Sequence, residues 1–154
     1  MKLGGIGRAA ITAAVALALW SVGFSKPASA QLRYFRVCPG PTMDGCGTPY
    51  DFTIALGQQK QIQIAEQILS GKITDMVHVE GMIVAKPAFY NWPLMFHLDP
   101  NSIGFFTFAH PTCWGYSTVD VNANLDKIGS PGFLPTHYWC PRGYRISKEI
   151  HGYW

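Results

Sequence analysis

Four cysteines, Cys38, Cys46, Cys113 and Cys140, constrain this chain more than any other feature. A covalent bridge restricts which residues can be neighbours before any packing is considered. Whether the cysteines bridge depends on the compartment, and the N-terminus bears on that. Lys2 and Arg8 make a positive start, Ala9 to Phe24 is almost uninterrupted apolar sequence, and Ala28-Ser29-Ala30 places small residues where signal peptidase reads them. This is the pattern of a secretory signal peptide over residues 1–30, cleaved before Gln31. No twin-arginine pair precedes the apolar run, so the general secretory route is expected. The mature protein is expected to be secreted or periplasmic, with no stable membrane insertion after cleavage.

In that setting an even number of cysteines points to disulfides. Cys38 and Cys46 flank Pro39-Gly40-Pro41-Thr42-Met43-Asp44-Gly45, a turn-rich loop able to bring them together. The expected pairing is Cys38 with Cys46 and Cys113 with Cys140. Chain entropy assigns roughly 2.5 kcal/mol to the short loop and about 3 to 4 to the long one. No Cys-x-x-Cys occurs, which weighs against a zinc site or a redox thiol.

Cleavage also changes the charge. The net of +3 comes from Lys2, Arg8 and Lys26, and their loss leaves nine basic residues against nine acidic ones. A near-neutral protein exerts no general pull on nucleic acid, and no nucleic-acid partner is expected. About 124 residues remain, enough for one domain around one core.

Residues 31–49 are rich in proline and glycine and read as an irregular arm tied by its disulfide. The domain proper is placed at 50–154. Tyr50 to Leu56 alternates, with Phe52, Ile54 and Leu56 on one face, as a strand does. Gln58 to Ser70 puts Ile62, Ala65 and Leu69 on one stripe of an amphipathic helix, weakly capped at its start and stopped by Gly71. Met76 to Ala85 alternates again, with Val77, Val79, Gly81 and Ile83 opposite His78, Glu80, Met82 and Val84. Leu94 to Leu98 and Ile103 to Phe108 read as a hairpin through Asp99-Pro100, with Phe105 and Phe106 demanding burial on both faces. Ser117 caps a second helix reaching about Ile128, with Asp120 completing a capping box. Ser130 to Arg142 reads as a loop, and Tyr144 to Ile150 as a last edge strand. The expected fold is a disulfide-stapled α+β domain: a mostly antiparallel sheet with two helices packed on one face.

From Phe52 onward the chain resembles the BP-seventy-four N-terminal domain family. The resemblance rests on Phe52-Thr53-Ile54 to Ile68-Leu69-Ser70-Gly71, His78-Val79-Glu80-Gly81, Tyr90-Asn91, Phe96-His97-Leu98-Asp99-Pro100, Phe105-Phe106-Thr107-Phe108-Ala109, Cys113, Gly132-Phe133-Leu134-Pro135 and Trp139-Cys140-Pro141. It spans about four fifths of the mature chain, in order. Gln58-Gln59 stands where the family favours Asp-Pro, Trp92-Pro93-Leu94 where it favours Pro-Gly-Trp, and Arg142-Gly143 where it favours Trp-Ser. The Cys38–Cys46 arm reads as an addition. These departures fall on loops, where a ligand would be chosen. The resemblance implies a fold and an exported setting, and no catalytic mechanism.

The candidate binding residues are His78, Asn91, Trp92, His97, Asp99 and Trp139. His78 and Glu80 share a strand face, as do His97 and Asp99, so neighbouring strands would bring two imidazoles and two carboxylates together. Three functions are consistent with this pattern. The first is a non-catalytic exported module that binds a protein or carbohydrate, with no cofactor. The second is a metal-assisted hydrolase with His78, His97 and Asp99 as ligands and Glu80 as general base. The third is an inhibitor-like protein that presents the Cys38–Cys46 loop. No His-Glu-x-x-His pattern and no glycine-rich phosphate loop occurs, and Ser102, Ser117 and Ser130 lack the context of a catalytic serine. These readings differ in whether the polar groups converge on a cavity or are each engaged by backbone.

Overall fold

Alternating apolar residues become sheet where one face can be buried, and here they do so on both sides of one core. The structure is a computed structural model and describes residues 31–40, 46–107 and 115–152. The expected leader lies outside the described residues, as do Cys113, Trp114, Tyr153 and Trp154. In chain order the elements are β1 (Arg33–Pro39), β2 (Phe52–Leu56), α1 (Gln59–Leu69), β3 (His78–Val84), β4 (His97–Leu98), β5 (Gly104–Phe106), α2 (Thr118–Ala123), β6 (Tyr138–Trp139) and β7 (Tyr144–Ile150). The fold is α+β and every strand pairing is antiparallel.

The strands divide into two sheets. One has the order β2-β1-β7, which makes β7 the edge strand expected of it. The other is built on β3, which pairs with β4, β5 and β6. β1 corrects the reading of residues 31–49 as an irregular arm, because its first half is the central strand of a sheet. Phe35 and Val37 alternate into the core, but the prolines and glycines that follow residue 38 swamp that signal when the whole segment is averaged. The loop behind it closes as expected, with Cys38 bonded to Cys46 and their Cα atoms 5.2 Å apart. Cys140 is also disulfide-bonded, and its expected partner Cys113 lies outside the described residues.

β4 and β5 do not form a hairpin with each other. Both pair with β3, β4 through Ile83↔Leu98 and Val84↔His97, and β5 through His78↔Phe106 to Glu80↔Gly104. The Asp99–Ser102 turn between them returns the chain to the same neighbour. Asp99 N–H donates to Met82 O at 2.9 Å, and Ser102 Oγ accepts from Met82 N–H at 2.8 Å. Both main-chain groups of Met82 are thus satisfied by the turn. Phe105 and Phe106 are only half-buried, short of the burial on both faces expected of them. Gly104 lies against Glu80: a Cβ there would stand 2.7 Å from Glu80 Oε1, so a larger residue would displace that side chain.

α1 begins at Gln58 without a side-chain cap and ends in a Schellman motif. Lys72 N–H donates to Gln67 O at 2.9 Å and Gly71 N–H to Ile68 O at 3.1 Å, with Gly71 at φ +72°. α2 opens with the expected capping box. Ser117 Oγ accepts from Asp120 N–H, and Asp120 Oδ2 accepts from Ser117 N–H at 3.0 Å. The helix ends at Ala123, and a 3-10 turn over Leu125–Lys127 completes the span expected to reach Ile128.

The core joins both sheets and both helices: Phe35, Ile54 and Leu56, then Val79, Phe96 and Leu98, with Ile62 from α1 and Val121 from α2. Trp139 lies at its centre with no exposed surface, between the rings of Phe52 and Phe96 at 5.1 and 5.6 Å. Its indole N–H donates to Tyr116 O at 2.9 Å. Burying side chains of this size contributes about 1.5–3 kcal/mol each. Residues 130–142, expected to be loop throughout, reach the core because β6 pairs with β3 at Gly81 and Met82.

Candidate functional site

The four polar groups that share strand faces in the sequence do not meet. His97 is the partner of Val84 and His78 the partner of Phe106, at opposite ends of β3. Six residues of strand separate those ends, about 20 Å. Each group is engaged locally. His78 Nδ1 lies 3.3 Å from Tyr144 O, and His97 Nδ1 lies 2.8 Å from Lys86 O. Asp99 Oδ1 accepts from Asn101 N–H at 2.9 Å, an Asx-turn. Glu80 lies across Gly104 and acts on Tyr138, whose hydroxyl is pushed above its ordinary value by burial first and by the Glu80 charge second. Among the described residues no three His, Cys, Asp or Glu side chains gather as a metal site would require.

Asn91 and Trp139 are also structural. Asn91 is 4% exposed, and its amide joins two segments: Oδ1 accepts from Thr53 N–H at 2.7 Å and Nδ2 donates to Phe96 O at 2.9 Å. This ties β2 to the segment entering β4. Beside it, Tyr90 is buried, and its phenol is pushed up to about 12, mainly by that burial.

Trp92 differs from the rest of the set. It is 77% exposed, and with Pro93 it forms one wall of a groove of about 320 Å³. Val119 and Asn122 of α2, Arg36 of β1 and Asp51 line the same groove. Each side has a local cause. Asn91 pins the turn that carries Trp92. The capping box of Ser117 and Asp120 fixes the first turn of α2 and holds the Asp120 carboxyl below its ordinary value. The β1–β7 register shifts between Arg36 and Val37, a bulge at the residue that supplies the guanidinium.

The polar groups of this groove are incompletely engaged. Arg36 Nε is buried with no hydrogen-bond partner among the described residues, and the nearest Asp51 oxygen is 3.8 Å away. That distance holds a charge contact and is too long for a hydrogen bond. Asp51 is fixed from the other side, by Gly47 N–H at 2.6 Å and Thr48 Oγ1 at 3.2 Å, and its side chain is 5% exposed. Asn122 Oδ1 accepts from Met95 N–H at 2.7 Å, which orients the amide and leaves its NH₂ as a donor. Of the residues that line this groove, the sequence singles out Trp92 and gives no signal for Arg36, Asp51 or Asn122. They come from three separate segments, and only the tertiary fold brings them together.

A second charged cluster lies near the start of β1. Arg33 makes a two-pronged contact with Glu149, 2.5 Å on each arm, and reaches Glu66 at 2.5 Å. This holds the Glu149 carboxyl below its ordinary value and raises the Arg33 guanidinium. The neighbouring cleft, about 590 Å³, is lined by Arg33, Glu149, Gln59 and His151. Its one Arg is already paired with two carboxylates.

No curated protein and no solved structure matches the chain. The family model of the BP-seventy-four N-terminal domain matches residues 34–153. The match begins within β1, so that strand belongs to the shared domain and is not part of an addition. Covering almost the whole described fold, the match shows that the chain belongs to the BP-seventy-four N-terminal domain family.

Proposed function

We propose that this protein is an exported, non-catalytic binding module whose site is the groove between Trp92 and α2. The observation that carries the reading is the contrast in engagement. His78, His97 and Asp99 have partners in backbone, while an exposed indole, an oriented amide and a guanidinium face one groove. Ligand sites combine apolar walls with a few fixed polar groups, and the groove has that composition. The hydrolase reading needs His78 and His97 on one ion, and the β3 register holds them about 20 Å apart. The disulfide and the leader pattern both support export.

Two measurements test this. Mass spectrometry of the protein from its host is expected to find a chain starting at Gln31, and an intact N-terminus in the membrane fraction would contradict export. Titration of the ¹⁵N-labelled protein with a library of small polar fragments is expected to move the Trp92 indole and Asn122 amide signals first. Shifts centred on His78 or His97, or turnover of any fragment, would overturn the proposal.

A further inference from the structure

If the groove is the site, its chemistry also restricts its occupant, and that restriction rests on the binding-module reading. Arg36 carries the only cationic charge on its lining among the described residues, and Asp51 already stands 3.8 Å from it. The local field is close to neutral, so neither an anion nor a cation gains much from entering. The groups free to act are donors: the terminal guanidinium nitrogens of Arg36, whose side chain is 37% exposed, and the NH₂ of Asn122. Among the described residues neither has a hydrogen-bond acceptor. An occupant should therefore be uncharged and rich in acceptor oxygens.

Trp92 adds a geometric condition. Its indole is the one aromatic wall of the groove among the described residues, and it offers a broad flat apolar face. Proline-rich peptides dock between several aromatic ridges, and here there is one. A ligand that matches has one apolar face to lie on the indole and a polar edge of oxygens to meet the donors. A pyranose ring has this form, with axial C–H groups on one face and hydroxyls around its rim. The groove's volume, about 320 Å³, lies at the small end for small-molecule sites, about 300–1,000 Å³, and suits a short saccharide.

We infer that the Trp92 groove binds a neutral saccharide, with a pyranose ring stacked on Trp92 and its hydroxyls accepting from Arg36 and Asn122. The test uses maltose, cellobiose and N,N′-diacetylchitobiose at millimolar concentration, with a proline-rich peptide and a nucleoside in parallel, followed by ¹⁵N NMR and tryptophan fluorescence. At least one disaccharide is expected to shift the Trp92 indole N–H and the Asn122 side-chain amide in a saturable way. Trp92→Ala is expected to weaken that binding tenfold or more while leaving the melting temperature unchanged. Trp92→Phe, which keeps a flat ring, is expected to restore part of it. If the peptide or nucleoside alone saturates at the groove, the saccharide assignment falls and the groove stands. If every probe leaves these signals in place, or if disaccharides saturate elsewhere, the groove and the saccharide fall together.

Discussion

Asn91 and Trp92 are adjacent in sequence and opposite in use. Asn91 is 4% exposed with both ends of its amide bonded to backbone, whereas Trp92 is 77% exposed and walls a groove. The same contrast holds between the two regions they represent. Along β3, the polar residues that look like chemistry are engaged by carbonyls and turn amides. Around the groove, polar groups are held in place without being fully used. Residue type marks a candidate, and unused hydrogen-bonding capacity in a fixed orientation distinguishes a site from a support.

The largest effect is expected at the centre of the core. Trp139→Ala should cost about 3–5 kcal/mol, because it opens a cavity and strands the Tyr116 carbonyl that its indole now meets. Chemical denaturation would measure it, and a loss below about 1 kcal/mol would return Trp139 to the candidate binding set. Asn91→Ala is expected to cost about 2–4 kcal/mol, since it leaves Thr53 N–H and Phe96 O without partners in a buried position. Asp99→Ala removes a turn bond nearer the surface and is expected to cost only about 1 kcal/mol.

Glu149→Gln sharpens the comparison from a third region. Arg33 depresses the Glu149 carboxyl below its ordinary value of 4.5, so the pair's contribution is fully present above that value. It is lost as pH falls through the depressed folded value. At neutral pH the substitution is expected to lower stability by up to about 1 kcal/mol, because the pair is partly exposed. Melts of both proteins from pH 7 to pH 3 are expected to converge at the acid end. A gap that persists or widens there would show that Glu149 acts through packing and not through charge.

Much of the fold was legible because it follows local rules. The alternation at Phe52, Ile54 and Leu56, the stripe at Ile62 and Ala65, the capping box at Ser117 and the stop at Gly71 are short-range patterns, and each forms as expected. What was hidden depended on tertiary pairing. β1 was obscured by the prolines behind it, and β6 is two residues long and exists only because β3 offers it an edge. The apparent hairpin at Asp99-Pro100 misled because turn chemistry fixes a reversal without fixing which strand the chain then pairs with. The candidate site follows the same division. Trp92 was visible as a loop aromatic, but Arg36, Asp51 and Asn122 come from distant segments and carry no shared motif. The expected convergence of His78 and His97 fails because a common strand face says nothing about distance along the strand.

The comparison is tested most directly by thermal melts of Asn91→Ala and Trp92→Ala side by side. Asn91→Ala should lower the melting temperature by about 8 °C or more, at roughly 4 °C per kcal/mol for a domain of this size. Trp92→Ala should leave it within about 2 °C, because substitution of an exposed residue changes stability by about 0.5 kcal/mol or less. If Trp92→Ala instead destabilises the protein as much as Asn91→Ala, the indole is part of the framework, and the division between supporting and available groups fails.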